Sequence, residues 1–142
     1  MKKIINGVLL LGMIFAICTF LGACVDKDTG TVIPTSTDMR KNLEWVGYTV
    51  ELDDELENGY SGTHLTAKKE NECIEVYWLD DFEACDYYYN LLGELYPSNK
   101  LVEIIDDEKF GNIVYCGSES AINASRIKIV KVTSYLRIRE AR

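Results

Sequence analysis

Two hydrophobic rhythms alternate along the chain from residue 38 onward. Tyr48, Val50 and Leu52 recur at every second position, the spacing of a half-buried strand. Ile74, Val76 and Trp78 do the same, opposed by Glu75 and Tyr77. Over 81–96 the step changes to three and four. Phe82, Cys85, Tyr88 or Tyr89, Leu92 and Leu95 then form one apolar face of a helix. Asp80 and Glu83 have capping-box spacing before it, and Pro97 cannot continue it. A shorter helix starts with Asp38 as its cap, runs through Leu43 and Val46, and ends at Gly47.

Further strands are predicted over 63–68, 73–79, 101–105 and 112–116, with turn chemistry at Asn58-Gly59, Ser61-Gly62 and Glu70-Asn71. A short helix is expected over 118–126. The segment 127–139 mixes branched apolar and basic residues and fits either a strand or a helix. The pattern predicts an α+β domain: an antiparallel sheet of about five strands with helices packed mainly on one face. Its expected span is 39–126, followed by a basic segment over 127–142. Residues 25–38 are polar, without apolar periodicity, and read as a flexible tether.

The amino terminus has a different character. Lys2 and Lys3 precede an uncharged, almost wholly apolar run over 4–20, the layout of a secretory signal. An uncleaved transmembrane helix is the alternative, since 4–25 is long enough to span a bilayer, although Asn6, Gly7, Gly12 and Gly22 weaken it. A secreted form without an anchor is a third reading. Leu21-Gly22-Ala23-Cys24 follows the run at once: a branched apolar residue, two small ones, and a cysteine. This motif resembles the lipobox of bacterial lipoproteins. Beside it stand an acidic tether, the run Val76-Tyr77-Trp78-Leu79-Asp80-Asp81-Phe82-Glu83, and Val114-Tyr115-Cys116-Gly117-Ser118. Together they resemble small membrane lipoproteins of low-GC Gram-positive bacteria. The resemblance implies cleavage after residue 23, acyl chains on the Cys24 thiol, and a tether over 24–38. It also implies a domain on the extracytoplasmic face of the cell membrane.

Charge sharpens this picture. Residues 24–125 carry 7 basic against 22 acidic side chains, a balance of −15, whereas 126–142 carry 6 basic against one acidic, or +5. The acidic excess argues against nucleic acid as a partner. The basic segment is either a solvated surface or a contact for anionic wall polymer or lipid headgroups. Beyond Cys18 and Cys24 there remain Cys73, Cys85 and Cys116, an odd number in apolar surroundings, expected as buried thiols with one pair able to bridge.

Candidate chemistry is sparse. His64 is the only histidine and is expected to face solvent, with no nucleophile motif near it. Asp53, Asp54, Glu55 and Glu57 do not match a calcium loop: the sixth place falls on Asn58 and the twelfth on His64. Asp106-Asp107-Glu108 is expected as an exposed hairpin tip. No metal site and no cofactor are predicted. Tyr87, Tyr88 and Tyr89 are three consecutive helical residues about 100° apart, so at least one lies at the surface as a candidate interface. The expectation is a non-enzymatic, lipid-anchored binding domain of the envelope, meeting a protein or a wall component. The alternatives are a hydrolase built on dispersed carboxylates and an immunity or exclusion lipoprotein binding a basic partner.

Overall fold

The computed structural model describes residues 30–132 and 134–142. The signal run and the lipobox residues Leu21, Gly22, Ala23 and Cys24 lie outside them. The element order is α1 (Ser36–Trp45), β1 (Thr49–Glu55), β2 (Ser61–Lys69), β3 (Glu72–Leu79), α2 (Phe82–Leu95), β4 (Lys100–Asp107), β5 (Gly111–Gly117), α3 (Glu119–Ser125) and β6 (Tyr135–Arg139). A single 3-10 turn, Glu57–Gly59, joins β1 to β2. The six strands form one antiparallel sheet in the order β1-β2-β3-β5-β4-β6.

The fold is α+β, with six strands where about five were expected. The added one is β6, in the segment whose pattern fitted either strand or helix. It pairs with β4 from Leu101↔Arg139 to Ile105↔Tyr135, so residues 135–139 of the basic segment belong to the sheet. The tether expectation also shortens. Thr31 and Ile33 are buried, and Val32 bridges Lys128 through two backbone hydrogen bonds of 2.7 and 2.8 Å. A polar-looking stretch folds here because Ile33 joins the same core as Ile127 and Ile129 of the loop that Val32 bridges.

Helix starts move by one to three residues for a local reason. α1 is capped by Thr35, whose hydroxyl accepts from Asp38 N while donating to the Asp38 carboxylate. That reciprocal arrangement serves two polar groups at once, so it displaces Asp38 as the cap. At α2 the cap is Asp81, accepting from Ala84 N at 2.8 Å, and not Asp80. Ser118 caps α3.

Strand alternation distributes the core over both faces of the sheet. Leu65, Ala67, Ile74, Val76, Val102, Ile104 and Ile113 point to the side covered by α1 and α3, where Met39, Leu43, Ala121 and Ile122 meet them. Tyr77, Leu79, Leu101, Val114 and Cys116 point to the other side, under Ala84, Cys85, Tyr88 and Leu92 of α2. Two of the three helices thus share a face, and the longest covers the other. Gly62 permits the close approach of β2 and β3: a Cβ there would lie 2.2 Å from Trp78 O.

Candidate functional site

The α2 side of the sheet is polar and aromatic in a way the opposite side is not. Register places Asp53, His64, Tyr77, Val114, Glu103 and Arg137 in one row across all six strands, facing α2. His64 is half-buried there, not solvent-facing as expected, because α2 covers its face. Its ring stacks on Tyr77 with centroids 4.0 Å apart and planes at 7°. Tyr77 in turn stacks on Tyr88 at 4.1 Å and 22°, so three flat rings lie in series from β2 through β3 to α2. Stacked aromatic pairs contribute beyond their buried area and hold one another's orientation.

Glu75, in the neighbouring row, anchors this stack. One carboxylate oxygen accepts from the Tyr96 hydroxyl; the other accepts from Tyr77 at 3.3 Å and meets His64 Nε2 at 3.3 Å. Thr66 Oγ1 reaches the same ring nitrogen at 3.1 Å. Burial pushes the Glu75 carboxyl up, but the hydrogen bonds from His64, Tyr96 and Tyr77 outweigh it and hold the group below the usual carboxylate range. Burial first, and Glu75 second, push the hydroxyls of Tyr77 and Tyr96 well above the ordinary phenol value. Both oxygens of Glu75 are therefore occupied by structural partners. The group orients the rings and is not presented to a substrate as a proton acceptor.

The tyrosine triplet separates into three environments. Tyr88 is buried at 2 % exposure in the stack and donates to Glu57 O at 3.4 Å. Tyr87 is half-buried beside Tyr60, with ring centroids 5.4 Å apart, and is held by Asn58. Tyr89 turns the other way and lies under the Arg137 guanidinium, 3.6 Å from its ring centroid. Tyr87 and Tyr88 thus each border a cleft, Tyr87 as the more exposed of the two.

Two clefts open beside these residues. The deeper, about 300 Å³, has His64, Tyr77 and Tyr88 in its walls, with Leu56, Leu91 and Leu95 and the carboxylates of Asp53, Glu55 and Glu57. The second, about 430 Å³, is lined by Tyr60, Tyr87, Leu91 and Asn90 and by Glu83, Asp86 and Glu94. They share Leu91, so they adjoin across one side chain of α2. Each carries three carboxylates, and no lysine or arginine among the described residues lines either. Asp86 is partly neutralised by Arg137 at 3.2 Å; the others at these rims face outward.

The acidic stretch at 53–57, which does not fit a calcium loop, is here the rim of the deeper cleft. Asp107 departs from its expected exposure. It is buried, and its Oδ1 accepts from Lys109 N and Phe110 N at 3.0 and 3.1 Å, closing the β4–β5 turn from inside. Cys85 and Cys116 are buried thiols pushed up by burial to about 12, and Cys73 is half-buried and free. No group of three or more metal-ligating side chains occurs among the described residues, and none of their helices is long and apolar enough to cross a membrane.

The residues missed by sequence reasoning are Tyr60, Tyr77, Glu75 and Tyr96. The signal for two of them was present. Residues 73–79 are apolar at nearly every position, as in a strand buried on both faces, which places Tyr77 and Glu75 under a cover. Comparison with known proteins finds no matching family model, no matching curated protein and no matching solved structure.

Proposed function

We propose that the chain is a lipid-anchored domain on the extracytoplasmic face of a cell membrane, binding a basic protein partner through the two clefts beside α2. The observation that carries the binding half is the pairing of aromatic walls with an acidic rim, partly neutralised at Asp86 by Arg137. Tyrosine offers large apolar contact at low entropic cost, and it is enriched at binding hot spots. The rim supplies long-range attraction for cationic side chains, raising encounter rates in a salt-dependent way. The anchoring half rests on the lipobox Leu21-Gly22-Ala23-Cys24 behind its apolar run.

Two measurements test this. Mass spectrometry of the mature chain should find Cys24 as the first residue, carrying acyl chains; a free amino terminus elsewhere removes the anchor. Calorimetric titration with a short oligolysine should show binding that weakens as salt rises, with oligoglutamate silent. Glu55→Gln with Glu57→Gln, and separately Tyr87→Ala, should each weaken it several-fold. Binding that ignores salt, or survives all three substitutions, overturns the assignment of the clefts.

A further inference from the structure

The chain leaves the folded domain toward Cys24 at one fixed place. Thr31 is buried, and its hydroxyl accepts from Val130 N at 3.2 Å and Lys131 N at 2.9 Å while donating to Lys131 O. The paired backbone bonds between Val32 and Lys128 add two more ties. Thr31 is therefore fastened to the loop that precedes β6. On that loop Ile127 and Ile129 turn into the α1/α3 core, whereas Lys128, Val130 and Lys131 face outward, Val130 at 60 % exposure. Gly30 lies directly beside Val130.

We infer that this loop, with Lys128 and Lys131 flanking Val130, is the surface that rests on an anionic lipid leaflet, so that the α2 clefts face away from it. The inference rests on the anchor proposed above. Six residues, 25–30, separate Cys24 from Thr31. Fully extended, those seven steps reach about 25 Å. A domain of this size has a radius near 17 Å, so passing to its far side requires about 50 Å of chain. The tether is too short, and the leaflet meets the side from which Thr31 departs. That side is the α1/α3 face; the clefts are on the other.

Charge selects the same orientation. Residues 24–125 carry −15 and are repelled by an anionic surface, while the outward cations Arg126, Lys128 and Lys131 cluster at the exit. Arg137 and Arg139 of the same segment do not take part, because they are bound to Glu103, Asp86 and the carbonyls of Gly93 and Tyr96. An exposed valine between two lysines adds apolar contact at headgroup depth.

The test uses the full acylated chain reconstituted into phosphatidylglycerol or phosphatidylcholine vesicles, read by amide hydrogen exchange against the detergent-solubilised protein. Protection of 128–131 is expected on phosphatidylglycerol, with 82–95 unchanged. Lys128→Glu with Lys131→Glu should abolish it, each lysine contributing about fivefold in surface partitioning. Acylated protein that shows no protection at 128–131, or protection over α2 instead, overturns the orientation and leaves the anchor standing. Protection by soluble polyglycerol phosphate but not by vesicles assigns the loop to wall polymer and also overturns it. A Cys24 found without acyl chains overturns the anchor itself, and this orientation with it.

Discussion

The two faces of the sheet are built from different chemistry. Toward α1 and α3 the buried side chains are almost all aliphatic, and Ile, Leu and Val interlock as a close-packed core. Toward α2 the sheet and the helix together present tyrosines, a histidine, two buried thiols, a carboxylate–guanidinium pair and the half-buried Glu75 network. The first face stabilises by area removed from water. The second stabilises through partners that must be present in pairs, and in return keeps polar groups and clefts within reach of the surface. The recognition surface proposed above therefore lies on the face whose packing is directional.

Titration on the alkaline side should separate the faces most strongly. Burial raises Tyr77, Tyr88, Tyr96, Cys85 and Cys116 on the α2 side, the thiols to about 12, against Tyr48 and Tyr115 on the other. A group whose folded pKa exceeds its unfolded value holds its proton in the fold after the unfolded chain has lost it. Stability is thus full below about pH 9 and falls as pH rises toward 12 and beyond. Tyrosinate absorbance and far-ultraviolet dichroism should change together; a fold stable through pH 12 would contradict the burial of these groups. On the acid side Glu75 works in the opposite sense, its contribution being present above the ordinary carboxylate pKa and lost below it.

Arg137→Ala is the next largest. It leaves Glu103, at 1 % exposure, without its bidentate partner at 2.9 and 3.0 Å, and should cost about 3–5 kcal/mol in urea unfolding. Exchanging Glu103 and Arg137 together for apolar residues should recover most of that loss. Leu65→Ala, on the aliphatic face, should cost about 2–5 kcal/mol with no recovery by any single partner change. Tyr96→Phe removes one donor to Glu75 and should cost about 1.5–3 kcal/mol while shifting the His64 ring resonances in NMR. Smallest is Tyr87→Ala, expected within about 1 kcal/mol in stability yet weakening oligolysine binding several-fold. A reversal of those last two effects would place the binding surface elsewhere.

Five strands and three helices were readable because their periods are local properties: the i, i+2 pattern of 48–52 and the i, i+3, i+4 pattern of 82–95 depend on few neighbours. β6 was not, because Arg137 and Arg139 look like solvated charge until Glu103 and the C-terminal carbonyls of α2 are placed beside them. The same applies to the cleft. Helical geometry alone put at least one of Tyr87, Tyr88 and Tyr89 at the surface without saying which, whereas Tyr60, Tyr77 and His64 become neighbours through strand register and the covering of the second face. Asp107 shows the limit most simply, since an acidic residue in a turn reads as exposed until its carboxylate is seen accepting two backbone amides.

The strand order has a temporal consequence. The groups that fasten both ends of α2, Arg137 to Asp86 and Arg139 to the carbonyls of Gly93 and Tyr96, lie 43 to 51 residues further along the chain than the groups they hold. Val32 likewise waits for Lys128. A polypeptide emerging residue by residue from a ribosome or a translocation pore therefore cannot lock until its sixth strand arrives. Until then Glu103 lacks its bidentate partner and β4 its outer neighbour, so that edge of the sheet stays open.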